Sequence, residues 1–124
     1  GAKIADPEKI VINVMGDAAF GMAGMDLETA SRSELGTITV VLNNGVMTHY
    51  YDHFPHATEH WKSNELGGNY ADTAKSLGAY GERVTSPDEI GAAMARAVEA
   101  TNNGQPALLE MISKEEETIS TYGR

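Results

Sequence analysis

The sequence predicts an α/β fold, an open and mostly parallel β-sheet with flanking helices. Two apolar stretches rich in β-branched residues, 10–15 and 37–42, are typical of strands covered on both faces. Helix-forming residues lie between them, and this order of strand, helix and strand indicates a parallel βαβ unit. The later pattern of helix, strand, helix and strand extends the same sheet.

The first predicted helix covers residues 20–35. Its apolar residues form a candidate buried stripe, which consists of Met22, Met25, Leu27 and Ala30. We expect Gly36 to end this helix, because glycine is favoured just after a helix C-terminus. The strand at 37–42 follows directly.

Residues 45–68 contain all four histidines and show no sustained hydrophobic period. We therefore expect a long functional loop here, with a turn of helix. Asn69 is expected to cap a helix over residues 70–77 that ends at Gly78. A short strand near residues 82–84 is expected to follow.

The last predicted helix has the clearest start signal in the chain. Ser86 can cap the backbone, Pro87 suits the first helical position, and Glu89 can reach back to the cap. The helix is predicted over residues 87–100. Its expected buried residues are Ile90, Met94, Ala97 and Val98.

The predicted elements end with a strand over 106–112 and a charged tail over 114–117. A chain of 124 residues has room for one modest core, so we expect a single domain over 1–124. Nine basic and 18 acidic residues give a net charge of -9, which disfavours nucleic acid and anionic lipid as partners. Cysteine is absent, and no apolar run is long enough for a membrane span. The expectation is a soluble, cytoplasmic protein.

Polar side chains follow two strands that the βαβ unit makes neighbours. Asp17 comes directly after the first strand, and Asn43 and Asn44 come after the second. Ligands of open parallel sheets bind at the carboxyl ends of the strands, beside helix N-termini. Alone, Asp17 is equally compatible with a helix cap and the asparagines with a turn. Their occurrence together favours a shared binding site.

A carboxylate in a phosphate-binding turn is tolerable when a divalent cation separates the two negative charges. Mg²⁺ takes about six oxygen ligands, commonly carboxylates, water and substrate phosphates. Asp17, the side-chain oxygen of Asn44, a carbonyl near Val46, water and two diphosphate oxygens would complete that set. Gly16, Ala18 and Ala19 have little or no side chain, so that backbone amides can approach the phosphates.

These residues resemble a known motif. Gly16-Asp17-Ala18, with Asn43-Asn44 closing the next strand, is similar to the thiamine-diphosphate motif, which opens with GDG and ends with NN. Ala18 replaces the usual second glycine, which a negative φ would tolerate. Residues 1–7, 70–90 and 106–111 are similar to enzymes of the acetolactate synthase, pyruvate decarboxylase and pyruvate oxidase type.

The resemblance implies the diphosphate-binding domain of a thiamine-diphosphate-dependent enzyme. Asp17, Asn44 and the Val46 carbonyl would then ligate Mg²⁺. The implied cofactor-binding residues are Gly16, Asp17, Ala18, Ala19, Asn44, Val46 and Met47, and the resemblance assigns none of them a catalytic role. The cofactor would make or break a carbon–carbon bond next to a carbonyl of a 2-keto acid or similar substrate.

The resemblance also implies missing parts. The family's pyrimidine-binding domain, supplied in cis or by another subunit, has no counterpart in 124 residues, nor has the first part of the diphosphate-binding domain. We therefore expect a fragment that binds Mg²⁺ and diphosphate weakly and has no activity alone. Exposed apolar surface is expected to favour a homo-oligomer.

Two alternatives remain open at this point. Gly16, Ala18 and Gly21 form a degraded dinucleotide fingerprint, which would suit a nicotinamide-binding domain, although no acidic residue ends the second strand. A P-loop is excluded because Met22 stands in place of the required lysine.

The second alternative is a histidine-rich metal-binding or interaction module. The histidine pairs 49/53 and 56/60 have the i,i+4 spacing that can hold Zn²⁺ on a helix, with Pro55 breaking any helix that would join them. These histidines are also candidates for substrate contact, together with Met47, Tyr50 and Tyr51.

Overall fold

A computed structural model describes residues 1–116 and confirms the α/β class. Four strands form one sheet in the order β1-β2-β4-β3, and all three strand pairs are parallel. The strands are β1 (Ile12–Gly16), β2 (Ile38–Asn43), β3 (Tyr80–Val84) and β4 (Ala107–Ile112). The last strand of the chain thus lies in the middle of the sheet, between β2 and β3.

Helices cover both faces of this sheet. They are α1 (Ala2–Ala5), α2 (Asp17–Ala23), α3 (Asp26–Arg32), α4 (Tyr50–His53), α5 (Pro55–Trp61), α6 (Tyr70–Ser76) and α7 (Ile90–Asn102), with a 3-10 turn at Pro87–Glu89. The predicted caps are present: the Asn69 side chain accepts from the Asp72 amide at 3.0 Å, and Ser86 Oγ accepts from the Asp88 amide at 3.4 Å.

The core has two layers, one on each face of the sheet. One layer lies under α7 and consists of Ile38, Val40, Val84, Ala93, Ala97, Ala107 and Leu109. The other lies under α2, α3 and α6 and consists of Phe20, Leu27, Val41, Ala74, Ala79 and Leu108. Leu108 and Leu109 are both fully buried and point to opposite layers. Each contributes about 1.5–3 kcal/mol through burial.

The predicted helix over residues 20–35 is two helices. It breaks at Gly24 and Met25, so α3 does not continue the helical phase of α2. Met22 is therefore 85% exposed and Met25 is also exposed, which makes these two members of the predicted stripe wrong. Leu27 is buried as predicted, and Phe20 fills the remaining space.

Gly36 does not end a helix, because α3 ends at Arg32. It is needed instead for close packing: a Cβ at this position would lie 2.2 Å from the Thr101 carbonyl oxygen at the end of α7. Ile90 of α7 is exposed, contrary to prediction, while Ala97 is buried and Met94 and Val98 pack at the edge of the core.

The first strand is not covered on both faces. It is an edge strand, and Ile12 and Val14 are exposed, Val14 to 62%. Sequence composition reports that a strand is apolar but not which strand lies at the edge. Strand β2 has β1 on one side and β4 on the other, and its Ile38 and Val41 are fully buried as predicted.

A close approach joins α6 to β3. A Cβ at Gly81 would lie 2.1 Å from the carbonyl oxygen of Ala71, so only glycine allows the first turn of α6 to lie against this strand. The contact fixes where the amides of that turn point. One of them belongs to the functional site described below.

The segment 45–68 contains more helix than expected. Helices α4 and α5 lie in it, and its two ends are joined by an antiparallel bridge between Val46 and Glu65. Every helix within residues 1–116 is too short or too polar to cross a bilayer. The predicted charged tail is exposed from Lys114 to Glu116, and Glu117 lies outside the described residues.

Candidate functional site

The carboxyl ends of β1 and β2 lie side by side. Gly16 at the end of β1 is paired in register with Leu42 of β2, so Asp17 and the asparagines after β2 are close in space. Gly16 is extended, with φ -79° and ψ 166°, and α2 starts at Asp17. The strand-to-helix turn therefore delivers the carboxylate to the edge where the loop after β2 begins.

Asp17 is the central side chain of this edge and is only 4% exposed. Its Oδ1 accepts from the Ala18 amide and its Oδ2 accepts from the Gly45 amide, each at 2.8 Å. Two backbone hydrogen bonds offset part of the cost of burying a charge. Asp17 thereby ties the start of α2 to the loop after β2.

Asn44, Val46 and Met47 form the beginning of that loop. Asn44 Oδ1 accepts from the Val46 amide at 3.1 Å, which is an Asx turn. The Met47 amide donates to the Asn64 carbonyl at 2.8 Å, and the Leu66 amide donates to the Gly45 carbonyl at 2.8 Å. The far end of segment 45–68 therefore returns to the site.

Three further residues predicted for the site, Gly16, Ala18 and Ala19, lie at the start of α2. A Cβ at Gly16 would meet no atom within 4 Å, so open space lies over this residue. Ala18 has the helical, negative φ that its methyl group requires. Its amide is engaged by Asp17, a contact that sequence analysis did not anticipate.

Glu110 is a buried carboxylate that sequence analysis missed. It lies on β4 and is fully buried. Its Oε1 accepts from Asn43 Nδ2 at 2.7 Å, its Oε2 accepts from the Ala71 amide at 3.0 Å, and Arg83 Nε lies 3.9 Å away. Asn43 is thus held by Glu110, while the amide of Gly45, the residue after Asn44, donates to Asp17. The sequence did contain a signal: Glu110 is the one charged residue in an otherwise apolar strand, and a buried charge requires a partner.

Tyr70 lies close enough to Asp17 and Glu110 for their negative charges to affect its phenol. It packs edge-on against Phe20, with ring centroids 5.3 Å apart. Burial raises the pKa of its phenol, and the negative charges of Asp17 and Glu110 raise this pKa further. Two anionic groups near one end of the sheet give this region a negative potential, which favours a bound cation.

The four histidines do not meet in one cluster. Helix α4 ends at His53 and α5 begins at Pro55, as the proline predicted. His49 precedes α4 in a left-handed conformation, with φ 67° and its Nδ1 3.7 Å from Asp52 Oδ2. The pair 49/53 is therefore not on one helix. His56 and His60 are both on α5, where their ligand atoms and one of Glu59 lie within 4.8 Å of one another.

Comparison with known proteins identifies the family of this chain. Residues 1–111 match the model of the thiamine pyrophosphate enzyme, C-terminal TPP binding domain. The chain is 30% identical over 116 residues to the acetolactate synthase catalytic subunit of Aspergillus candidus, covering 91% of this chain and 16% of that protein. It is 28% identical over 126 residues to the 2-hydroxyacyl-CoA lyase of Oryza sativa, covering 90% and 20%.

Solved structures show the same fold. The thiamine diphosphate-dependent 4-hydroxybenzoylformate decarboxylase of Rhodococcus jostii RHA1 superposes with a TM-score of 0.77 at 21% identity, over 94% of this chain and 22% of that chain. The chain thus spans about a fifth of the length of these proteins. The family match decides against the nicotinamide-binding alternative. The chain belongs to the thiamine pyrophosphate enzymes, with residues 1–111 matching the model of their C-terminal TPP-binding domain.

Proposed function

We propose that this domain binds the diphosphate of thiamine diphosphate through Mg²⁺, held by the side chains of Asp17 and Asn44 and the Val46 carbonyl. The proposal rests mainly on the buried Asp17 carboxylate. Its Oδ2 accepts a hydrogen bond from the amide of Gly45, the residue next to Asn44. That contact ties the loop after β2, in which Asn44 and Val46 lie, to the start of α2, and it supports a ligand set shared by the two segments. Gly16, Ala18, Ala19 and Met47 would complete the cofactor-binding set.

The residues present fit a hard cation. Each Asp17 oxygen accepts one backbone hydrogen bond, and an ionised carboxylate has about four acceptor positions, so lone pairs remain for a metal. Asn44 Oδ1 likewise accepts one bond and can accept a second. Mg²⁺ prefers such oxygen ligands and keeps water and phosphate oxygens in its remaining positions. The open space over Gly16 leaves room for a phosphate group.

The whole enzyme is proposed to make or break a carbon–carbon bond next to a carbonyl, with a 2-keto acid or similar compound as substrate. The names of the relatives, acetolactate synthase and 2-hydroxyacyl-CoA lyase, support this class. When bound, the cofactor supplies a nucleophilic carbon and an electron sink. This chain's own residues bind and orient: Asp17 and Asn44 would fix the diphosphate, and the start of α2 would place amides beside it.

We propose the partners of this chain from the same similarity to thiamine pyrophosphate enzymes. A pyrimidine-binding domain, in cis or from another subunit, would complete the cofactor cleft, and the chain alone would then bind the cofactor without turnover. The exposed apolar residues Ile12 and Val14 on the edge strand support a covered surface in the complete protein, which we propose to be a homo-oligomer.

The test is calorimetric titration of the chain with thiamine diphosphate, with Mg²⁺ and with EDTA. Asp17→Asn removes the charge and keeps the size, and Asp26→Asn is the matched control, because Asp26 is an exposed first-turn aspartate of α3. We expect Mg²⁺-dependent binding in the native chain and the control, and binding at least tenfold weaker in Asp17→Asn. Equal binding by Asp17→Asn, or binding unchanged by EDTA, would contradict the proposal.

A further inference from the structure

We propose that His56, Glu59 and His60 form a second metal site, for a transition-metal dication of the Zn²⁺ class, on the exposed face of α5. The site is separate from Asp17 and Asn44 and does not rest on the proposed function. Within residues 1–116 it is the group of three histidine and carboxylate side chains whose ligand atoms all lie within 4.8 Å of one another.

The spacing of the three residues places them on one face of the helix. Positions i, i+3 and i+4 are neighbours on a helix surface, and the three ligand atoms lie within 4.8 Å of one another. Ligand atoms about 2.1 Å from one tetrahedral ion lie about 3.4 Å apart. Because all three side chains are exposed, rotations about their χ angles can bring the ligand atoms to that separation.

The helix holds the ligands before any ion arrives. Pro55 occupies the first helical position and pre-sets its backbone angle, and the left-handed Lys62 ends the helix. The first basic side chain after the cluster, Lys62, forms an ion pair with Glu65, with Nζ 3.3 Å from Oε2. The net charge of -9 further favours a dication at this surface.

The donor set selects the class of metal. Two imidazoles and one carboxylate favour Zn²⁺, Ni²⁺ and Co²⁺, whereas Mg²⁺ and Ca²⁺ prefer oxygen ligands alone. The order His-x-x-Glu-His also occurs in a class of zinc peptidases. Here all three side chains are exposed, so we assign the cluster metal binding and not hydrolysis.

The chain contains a reporter for this site. Trp61 is the single tryptophan, and its ring lies edge-on to the His60 ring with centroids 5.7 Å apart. Co²⁺ bound at His60 is expected to quench Trp61 fluorescence, and Zn²⁺ is expected to displace it and restore the signal. Excess Mg²⁺ in the buffer occupies any oxygen-only site during the titration.

The experiment compares His56→Ala, His60→Ala and the control His53→Ala, with Co²⁺ and Zn²⁺ as probes. His53 is an exposed histidine on α4, outside the cluster. We expect saturable one-to-one Co²⁺ binding, competition by Zn²⁺, and at least tenfold weaker affinity in each cluster variant but not in the control.

Calorimetry with Zn²⁺ measures the same affinities without the tryptophan signal, and far-ultraviolet circular dichroism confirms that each variant is folded. Glu59→Gln keeps the helix and both imidazoles and is expected to weaken binding by a smaller factor. The proposal is overturned if the cluster variants bind as tightly as the native chain, if His53→Ala loses as much affinity, or if Mg²⁺ competes.

Discussion

The carboxyl end of the sheet, called here the sheet end, contains Asp17 and Glu110 and is adjacent in space to segment 45–68. The two regions differ in how deeply their side chains are buried. At the sheet end, Asp17 and Glu110 are buried carboxylates that accept hydrogen bonds from four groups in three parts of the chain. In the segment, α4 and α5 bury no residue. The segment is attached through the bridge between Val46 and Glu65 and the neighbouring backbone hydrogen bonds.

This difference separates two tasks. Buried charged groups must keep their partners, so the arrangement around Asp17 and Glu110 is fixed by a high energetic cost of change. The exposed surface of α4 and α5 carries no such cost, so its side chains can vary in chemistry without disturbing the fold. Cofactor binding is accordingly proposed for the first region and an accessory ion site for the second.

The largest effect is expected from breaking the sheet-end network. Glu110→Ala leaves Asn43 Nδ2 and the Ala71 amide without their acceptor and opens a cavity in the core. We expect a loss of about 3 kcal/mol in the free energy of unfolding, measured with urea. Glu110→Gln keeps the volume and one acceptor, and its expected loss is about 1 kcal/mol.

The matched control is Glu99→Ala, at an exposed position on α7, which should change stability by less than about 0.5 kcal/mol. If Glu110→Ala were as stable as this control, the buried network would not hold the sheet end, and the comparison between the two regions would lose its basis.

A smaller effect is expected at a carboxylate that is paired but not fully buried. Arg96 hydrogen-bonds Glu82 and holds its pKa below the usual range, with a further contribution from the Tyr80 hydroxyl. A lowered folded pKa stabilises the protein above the ordinary glutamate pKa of about 4.3, and this stabilisation is lost as pH falls through the folded value.

Glu82→Gln is therefore expected to lower the melting temperature slightly at neutral pH, and its difference from the native chain is expected to shrink as pH falls below the ordinary glutamate pKa of about 4.3 and Glu82 takes up a proton. The loss of stability should be smaller than that caused by Glu110→Gln, because solvent screens the ion pair between Glu82 and Arg96. A Glu82→Gln difference that persisted or grew on acidification would show that packing, and not charge, accounts for it.

The smallest effect is expected in the segment. Trp61 is 77% exposed, and Trp61→Ala should change the free energy of unfolding by no more than about 0.5 kcal/mol, measured by circular dichroism in urea. A loss comparable to that of Glu110→Ala would mean that the segment is part of the core and that the two regions do not differ as described.

Local signals explain what could be predicted from the sequence. The apolar strands, the caps at Asn69 and Ser86 and the break at Pro55 each depend on residues within a few positions, and the structure contains all of them. The adjacency of Asp17 and the loop after β2 followed from the βαβ unit alone.

Long-range pairing explains what could not be predicted. Strand order decides that β1 is an edge strand, and β4 reaches its place between β2 and β3 only in the folded chain. Glu110 finds partners 39 and 67 residues away, so no local pattern could name them. The exposure of Met22 and Met25 follows from a helix break that the apolar spacing did not reveal.

The close approach at Gly81 links two positions that are far apart in the sequence. Any side chain there would push the Ala71 carbonyl away and carry the neighbouring amide out of reach of Glu110. A substitution at Gly81 would thus remove one of the two hydrogen bonds that the buried Glu110 carboxylate accepts. The hydrogen bonding of a buried carboxylate on β4 therefore depends on the absence of a side chain on the neighbouring strand β3.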